Sequence, residues 1–135
     1  MALQDEADLG FFALTLWREA RGESREGKIA VAHVIMNRIA SPTWGNSMMS
    51  VLFQRLQFTS LTHASDPQLS VWPKDADPSW QECLEVASGV LEETIPSNVE
   101  KADSYHDISI QPPSWATTQA FVKQIGRIKF YRVGR

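Results

Sequence analysis

The chain has 135 residues and a mass of 15.2 kDa, the size of one domain spanning residues 1–135. Its hydrophobic fraction of 43% and charged fraction of 21% exclude a disordered chain. One cysteine, Cys83, excludes an internal disulfide and a cysteine zinc site, and a net charge of −3 excludes a generic nucleic-acid binder.

The charge is uneven. Residues 121–135 hold five basic side chains (Lys123, Arg127, Lys129, Arg132, Arg135) and no acidic one. Such an end suits either an anionic polymer or a strand edge guarded by cations. No apolar run is long enough to span a bilayer. Acidic Asp5, Glu6 and Asp8 stand where an export signal would carry positive charge, so no signal peptide is expected in these residues.

In chain order, the spacing of Leu9, Phe12, Ala13, Leu16 and Ala20 predicts an amphipathic helix over residues 5–21, stopped at Gly22. Ser24 is the expected cap of a second helix over residues 25–40 that is apolar on nearly every side and ends at Pro42. A short helix is expected over residues 47–54, then a long irregular loop over residues 56–77, a length typical of binding loops. Pro78 opens a further helix to about Glu93, which takes Cys83 into the core. Residues 105–110 read as a strand, and residues 121–133 as a β-hairpin turning near Gly126. Helices first and a small sheet last predict a helix-dominated α+β domain.

The segment Trp17-Arg18-Glu19-Ala20-Arg21-Gly22-Glu23 carries the chemistry. At about 100° per residue, Glu19 falls about 20° from Phe12, at the edge of the apolar stripe. It also stands in the last turn, where the helix dipole is negative. Both effects favour a protonated carboxyl, the form that a glycosidase uses to protonate a leaving oxygen. Arg18 and Arg21 act in the opposite direction, and the wheel alone does not set the balance. Glu23 is either a second carboxylate or an acidic residue at the start of the second helix. His33, His63 and His106 are too dispersed for a metalloprotease motif, so no metal and no cofactor is expected. His33 and Asn37, on an apolar helix, are expected to be structural.

Several motifs in order resemble one family. Glu19-Ala-Arg-Gly-Glu23, Gly27-Lys-Ile-Ala-Val-Ala32, Asn37-Arg38, Gln57-Phe-Thr59, Tyr105-His-Asp107, Pro113-Ser-Trp115 and Gln124-Ile-Gly-Arg-Ile-Lys-Phe130 resemble segments of the spore cortex-lytic, SleB-type cell-wall hydrolases. The closing segments are most similar to those of phage members. The resemblance implies a lysozyme-like fold and cleavage of peptidoglycan between N-acetylmuramic acid and N-acetylglucosamine. It implies a lytic transglycosylase whose acid is Glu19. A hydrolytic muramidase with Glu23 as second carboxylate is the alternative, and a non-catalytic peptidoglycan-binding module is the alternative of another class. Gln57 and Thr59 are candidates to bond sugar hydroxyl or N-acetyl groups. Tyr105 and Trp115 either stack on pyranose rings or pack within the sheet. The layout suggests a monomeric, endolysin-like enzyme, made in the host cytoplasm and released to the wall, with peptidoglycan as its partner and no nucleic acid.

Overall fold

The computed structural model describes residues 2–41, 43–54 and 57–134. Pro42, the expected stop of the second helix, lies outside them, as do Leu56 at the start of the expected loop and Arg135 of the basic end. Among the described residues, five α-helices and three strands follow in the order α1 (Leu3–Ala20), α2 (Arg25–Ile39), α3 (Met48–Leu52), α4 (Thr59–Thr62), α5 (Pro78–Leu91), β1 (Ser104–Asp107), β2 (Phe121–Ile125) and β3 (Ile128–Tyr131).

The starts of the helices are set by their caps. Ser24 Oγ accepts from Gly27 N at 3.2 Å and opens α2. Ser47 and Ser50 bond reciprocally and open the short α3. Asp77 accepts from Ser79 N at 2.9 Å, with Pro78 in the first turn of α5. The expected irregular loop is more ordered than its sequence suggests. It contains α4 and a 3₁₀ turn over Pro67–Ser70, whose cap is Asp66.

α1 packs most extensively on α5 and also meets α2. The core between them holds Phe12, Leu16, Val31, Ile35, Cys83 and Val86, all essentially inaccessible. Burial pushes the Cys83 thiol up to about 11, so it is a packing group rather than a nucleophile. His33 and Asn37 are structural as expected. A His33 ring nitrogen meets Ile95 O at 2.9 Å, and Asn37 Nδ2 donates to Glu100 O and Ala102 O.

The sheet is antiparallel with order β1-β3-β2. Gly126, at φ 56°, makes the turn between β2 and β3 where a side chain would be strained. Tyr105 pairs with Phe130 and His106 with Lys129. Because side chains alternate along a strand, Tyr105 and Phe130 share one face, while His106 and Tyr131 occupy the other. Phe130, fully buried, joins the first face to the helical core.

Phe130→Ala is expected to cost about 3–5 kcal/mol of unfolding free energy, because it opens a cavity between sheet and helices. Urea denaturation measures this. A loss below about 1 kcal/mol would show that the sheet does not rest on the core through this ring.

Candidate active site

Glu19 stands in the last turn of α1 and is positioned by its neighbour. Arg18 turns inward and is 8% exposed. Its Nε donates to Val71 O and its Nη1 to Ser60 O, both at 3.0 Å. Its guanidinium lies 4.7 Å from the ring centroid of Trp72. One side chain therefore ties the end of α1 to the segment 60–72. Hydrogen bonds from a cation to buried carbonyls are among the stronger ones in a protein.

That segment builds a wall beside Glu19. Glu19 as a residue is exposed to solvent. Protein nevertheless packs closely enough around its carboxyl that desolvation is the largest influence on its acidity, and it raises the pKa. Tyr105 Oη donates to Glu19 Oε1 at 3.3 Å across 86 positions of sequence. The Ser60 hydroxyl approaches the same carboxyl. It is buried and has no well-formed hydrogen bond elsewhere. These two hydroxyls favour the charged form, while the negative charge of Asp66 opposes it. The balance left open by the helix wheel falls on the side of the acid.

Tyr105 remains a neutral donor. Burial first, and then the charge of Glu19, push its pKa well above the ordinary tyrosine value, against the influence of Arg38. Asp66 remains a carboxylate. The Thr59 hydroxyl donates to its Oδ2 at 2.7 Å and Gln68 N to its Oδ1 at 2.8 Å, and together with His63 and Arg18 they hold its pKa down. Two carboxyl groups are thus pushed apart in acidity, the pattern that separates a proton donor from a stabilising anion.

The remaining expected site residues divide. Thr59 reaches the site, but through Asp66. Gln57 is exposed and its Oε1 accepts from Arg38 Nη1 at 3.2 Å. Arg38 also donates to Asp103 O at 2.6 Å and stacks against Trp44 and Phe58, so it joins the Gln57 loop to the start of β1. Glu23 is half-buried beyond the helix end, with Oε1 near Gly126 of the hairpin turn, and it is not among the groups that perturb Glu19. The carboxylate that acts on Glu19 is Asp66, which the sequence reading missed. Its signal was local: Asp66 before Pro67 is a capping pattern, and only the fold shows what it faces.

Trp115 is placed apart from Tyr105. Its ring meets His106 and Tyr131 edge to face, at centroid distances of 6.2 and 5.5 Å. Those residues occupy the opposite face of the sheet. Trp115 is half-buried and lies on the sheet face opposite the one that carries Tyr105. The three histidines do not converge either. His63 bonds with Ser65, and His106 with Tyr131 Oη at 3.1 Å.

Helices packed with a small three-stranded antiparallel sheet match the fold of the SleB catalytic domain. The chain superimposes on the catalytic domain of the germination-specific lytic transglycosylase SleB from Bacillus anthracis with a TM-score of 0.70 and 26% identity, covering 93% of each chain. For the catalytic domain of the Bacillus cereus SleB protein the TM-score is 0.72 and the identity 26%, with 94% of this chain and 91% of that one covered. Residues 22–131 match the Cell Wall Hydrolase family, and the chain belongs to it. It is 31% identical over 120 residues to the spore cortex-lytic enzyme of Bacillus subtilis (strain 168), covering 89% of this chain and 36% of that protein. The spore cortex-lytic enzyme of Oceanobacillus iheyensis is also 31% identical over 120 residues, covering 89% and 40%. The chain thus spans little more than a third of the length of these relatives. Glu19 stands three positions before the matched family stretch begins, so its role rests on its own geometry.

Two substitutions should move the acidity of Glu19 in opposite directions. Asp66→Asn removes the opposing negative charge and lowers its midpoint. Tyr105→Phe removes a donor to the charged form and raises it. Carboxyl-carbon NMR titration reads both. Shifts of the same sign would contradict the electrostatics described. Folded Glu19 holds its proton more tightly than an unfolded glutamate. Its contribution to stability is therefore fully present below the ordinary glutamate range and is lost as pH rises through the raised value.

Proposed function

We propose that the chain cleaves the glycan strand of peptidoglycan between N-acetylmuramic acid and N-acetylglucosamine, as a lytic transglycosylase with Glu19 as its acid. The observation that carries this reading is the desolvated Glu19 carboxyl at the end of α1, bonded by Tyr105 and opposed by Asp66. Membership of a cell wall hydrolase family and likeness to a domain described as a lytic transglycosylase support it.

In this scheme protonated Glu19 gives its proton to the glycosidic oxygen and the C1–O bond breaks. The resulting carboxylate removes the proton from the C6 hydroxyl of the muramic sugar. That oxygen closes on C1, forms a 1,6-anhydro ring and returns Glu19 to its acid form. No second carboxylate takes part in bond formation. Tyr105 holds Glu19 in place throughout and stabilises its charged intermediate state. Burial first, and the charge of Asp66 to a smaller degree, favour the proton on the resting acid, and the same negative charge favours the oxocarbenium-like centre. In a hydrolytic reading the candidates for the second carboxylate are Glu23 and Asp66, whose charge acts on Glu19.

The setting is proposed more coarsely. The relatives named above are spore cortex-lytic enzymes, so cortex lysis is the role found among similar proteins. A phage-type release to the host wall draws its support from the closing-segment motifs and from the cationic end. There Lys123 and Arg132 are exposed, whereas Arg127 is paired with Asp107 at 3.2 Å.

Digestion of purified peptidoglycan by wild type and Glu19→Gln, read by mass spectrometry, tests the reaction. The wild type should release fragments ending in 1,6-anhydro-muramic acid, and the variant should lose about a hundred- to ten-thousandfold of that rate. Reducing muramic ends would replace the transglycosylase by a muramidase. Binding without products would leave a wall-binding module, and cut peptides on intact glycan would overturn the glycosidic reading. Activity should be lost as pH rises through the raised pKa of Glu19, since only the protonated form can donate.

A further inference from the structure

Trp72 is the most exposed aromatic ring among the described residues, 66% accessible on a chain whose other large aromatic rings are mostly covered. It is not loose. One face of its indole rests on the Arg18 guanidinium, 4.7 Å from the ring centroid, and Arg18 is itself anchored to Val71 O and Ser60 O. Arg18 Nη2 is completely enclosed, so the ring acts as a cover on that side. The opposite face is open.

Beside the ring is a pocket of about 360 Å³ walled by Phe11, Leu14, Trp80 and Pro73, with Asp75 also in its lining. The Asp75 carboxylate is exposed and has no side-chain partner among the described residues. A rigid indole face, an adjoining small apolar pocket and a free carboxylate suit one kind of ligand. A pyranose ring offers an apolar face of C–H groups to the indole, an N-acetyl methyl to the pocket, and hydroxyl or amide N–H donors to the carboxylate.

We propose that Trp72 is a stacking platform for an N-acetylated sugar of the glycan strand, outside the bond that Glu19 cleaves, with the Phe11–Leu14–Trp80 pocket receiving the acetamido methyl group. The assignment rests on the glycan-cleaving reading above. It is continuous with that site through Arg18. The guanidinium beneath Trp72 also holds Ser60, whose hydroxyl approaches Glu19. A strand leaving Glu19 along the segment 60–72 would meet Trp72 within a few sugar rings. The platform would let the enzyme prefer long strands over short fragments without adding a group to the chemistry.

The test is a titration of isotope-labelled Glu19→Gln protein with the hexasaccharide of β-1,4-linked N-acetylglucosamine, read at the tryptophan indole N–H resonances. The Trp72 resonance should shift with saturation. Trp72→Ala should weaken binding by about tenfold, and Trp72→Phe, which keeps a ring over Arg18, should recover part of the loss. Cellohexaose, which has the same linkage and no acetamido groups, should bind more weakly and leave the Trp80 indole unmoved. A Trp72 resonance that stays still at saturation would overturn the platform, as would Trp72→Ala binding as tightly as its parent. Equal responses to the two oligosaccharides would overturn the acetamido pocket. Product analysis of the wild type separates the two claims. Cleavage with a silent Trp72 sinks the platform alone, whereas a responsive Trp72 without cleavage sinks the reaction and leaves glycan binding.

Discussion

The site depends on a buried cation. Arg18 comes one position before Glu19, so the two side chains leave α1 about 100° apart. One enters the protein and the other is exposed. By donating to Ser60 O and Val71 O, Arg18 draws the segment 60–72 against the last turn of α1. Burying a guanidinium is costly unless its donors are met, and here two of its nitrogens are met by backbone carbonyls. The consequence is the wall that desolvates Glu19. Without it the same glutamate would lose the main influence that raises its pKa.

The second support crosses the domain. Tyr105 reaches Glu19 from β1, and β1 is placed by Arg38, which bonds Asp103 O from α2. Asp103 is in turn held by Val133 N, Gly134 N and the Trp44 indole. Helix, loop and sheet thus converge on one carboxyl through a small number of long-range polar contacts. Most of these buried groups are hydrogen-bonded, which is what allows polar groups at this depth, while Arg18 Nη2 and Ser60 Oγ are left without a well-formed hydrogen bond.

Much of the frame was legible in the sequence, and the reasons are local. α1 and α5 have a continuous apolar stripe, α2 has a serine cap, and the hairpin has a glycine where the turn requires positive φ. Glu19 was legible for the same reason, since its place at the edge of the stripe follows from helix geometry. The segment 57–72 was not legible, because α4 and the 3₁₀ turn are too short to show a period. Asp66 and Trp72 could not be selected from their neighbours in sequence, because their partners are Thr59, Glu19 and Arg18, brought near by the fold. For Trp115 the residue type allowed two roles, and the fold adds that it lies on the sheet face opposite Tyr105. Glu23 was favoured by closeness in sequence, and the helix end at Ala20 carries it to the hairpin turn instead.

Arg18 raises the pKa of Glu19 by holding the 60–72 wall in place. Arg18→Lys keeps the charge and loses the two-carbonyl fork. Amide hydrogen exchange over residues 60–72, measured with the Glu19 titration midpoint in the same variant, tests it directly. Faster exchange in the segment together with a midpoint falling toward the ordinary glutamate range is the predicted result. A loosened segment with an unchanged, raised Glu19 midpoint would contradict it.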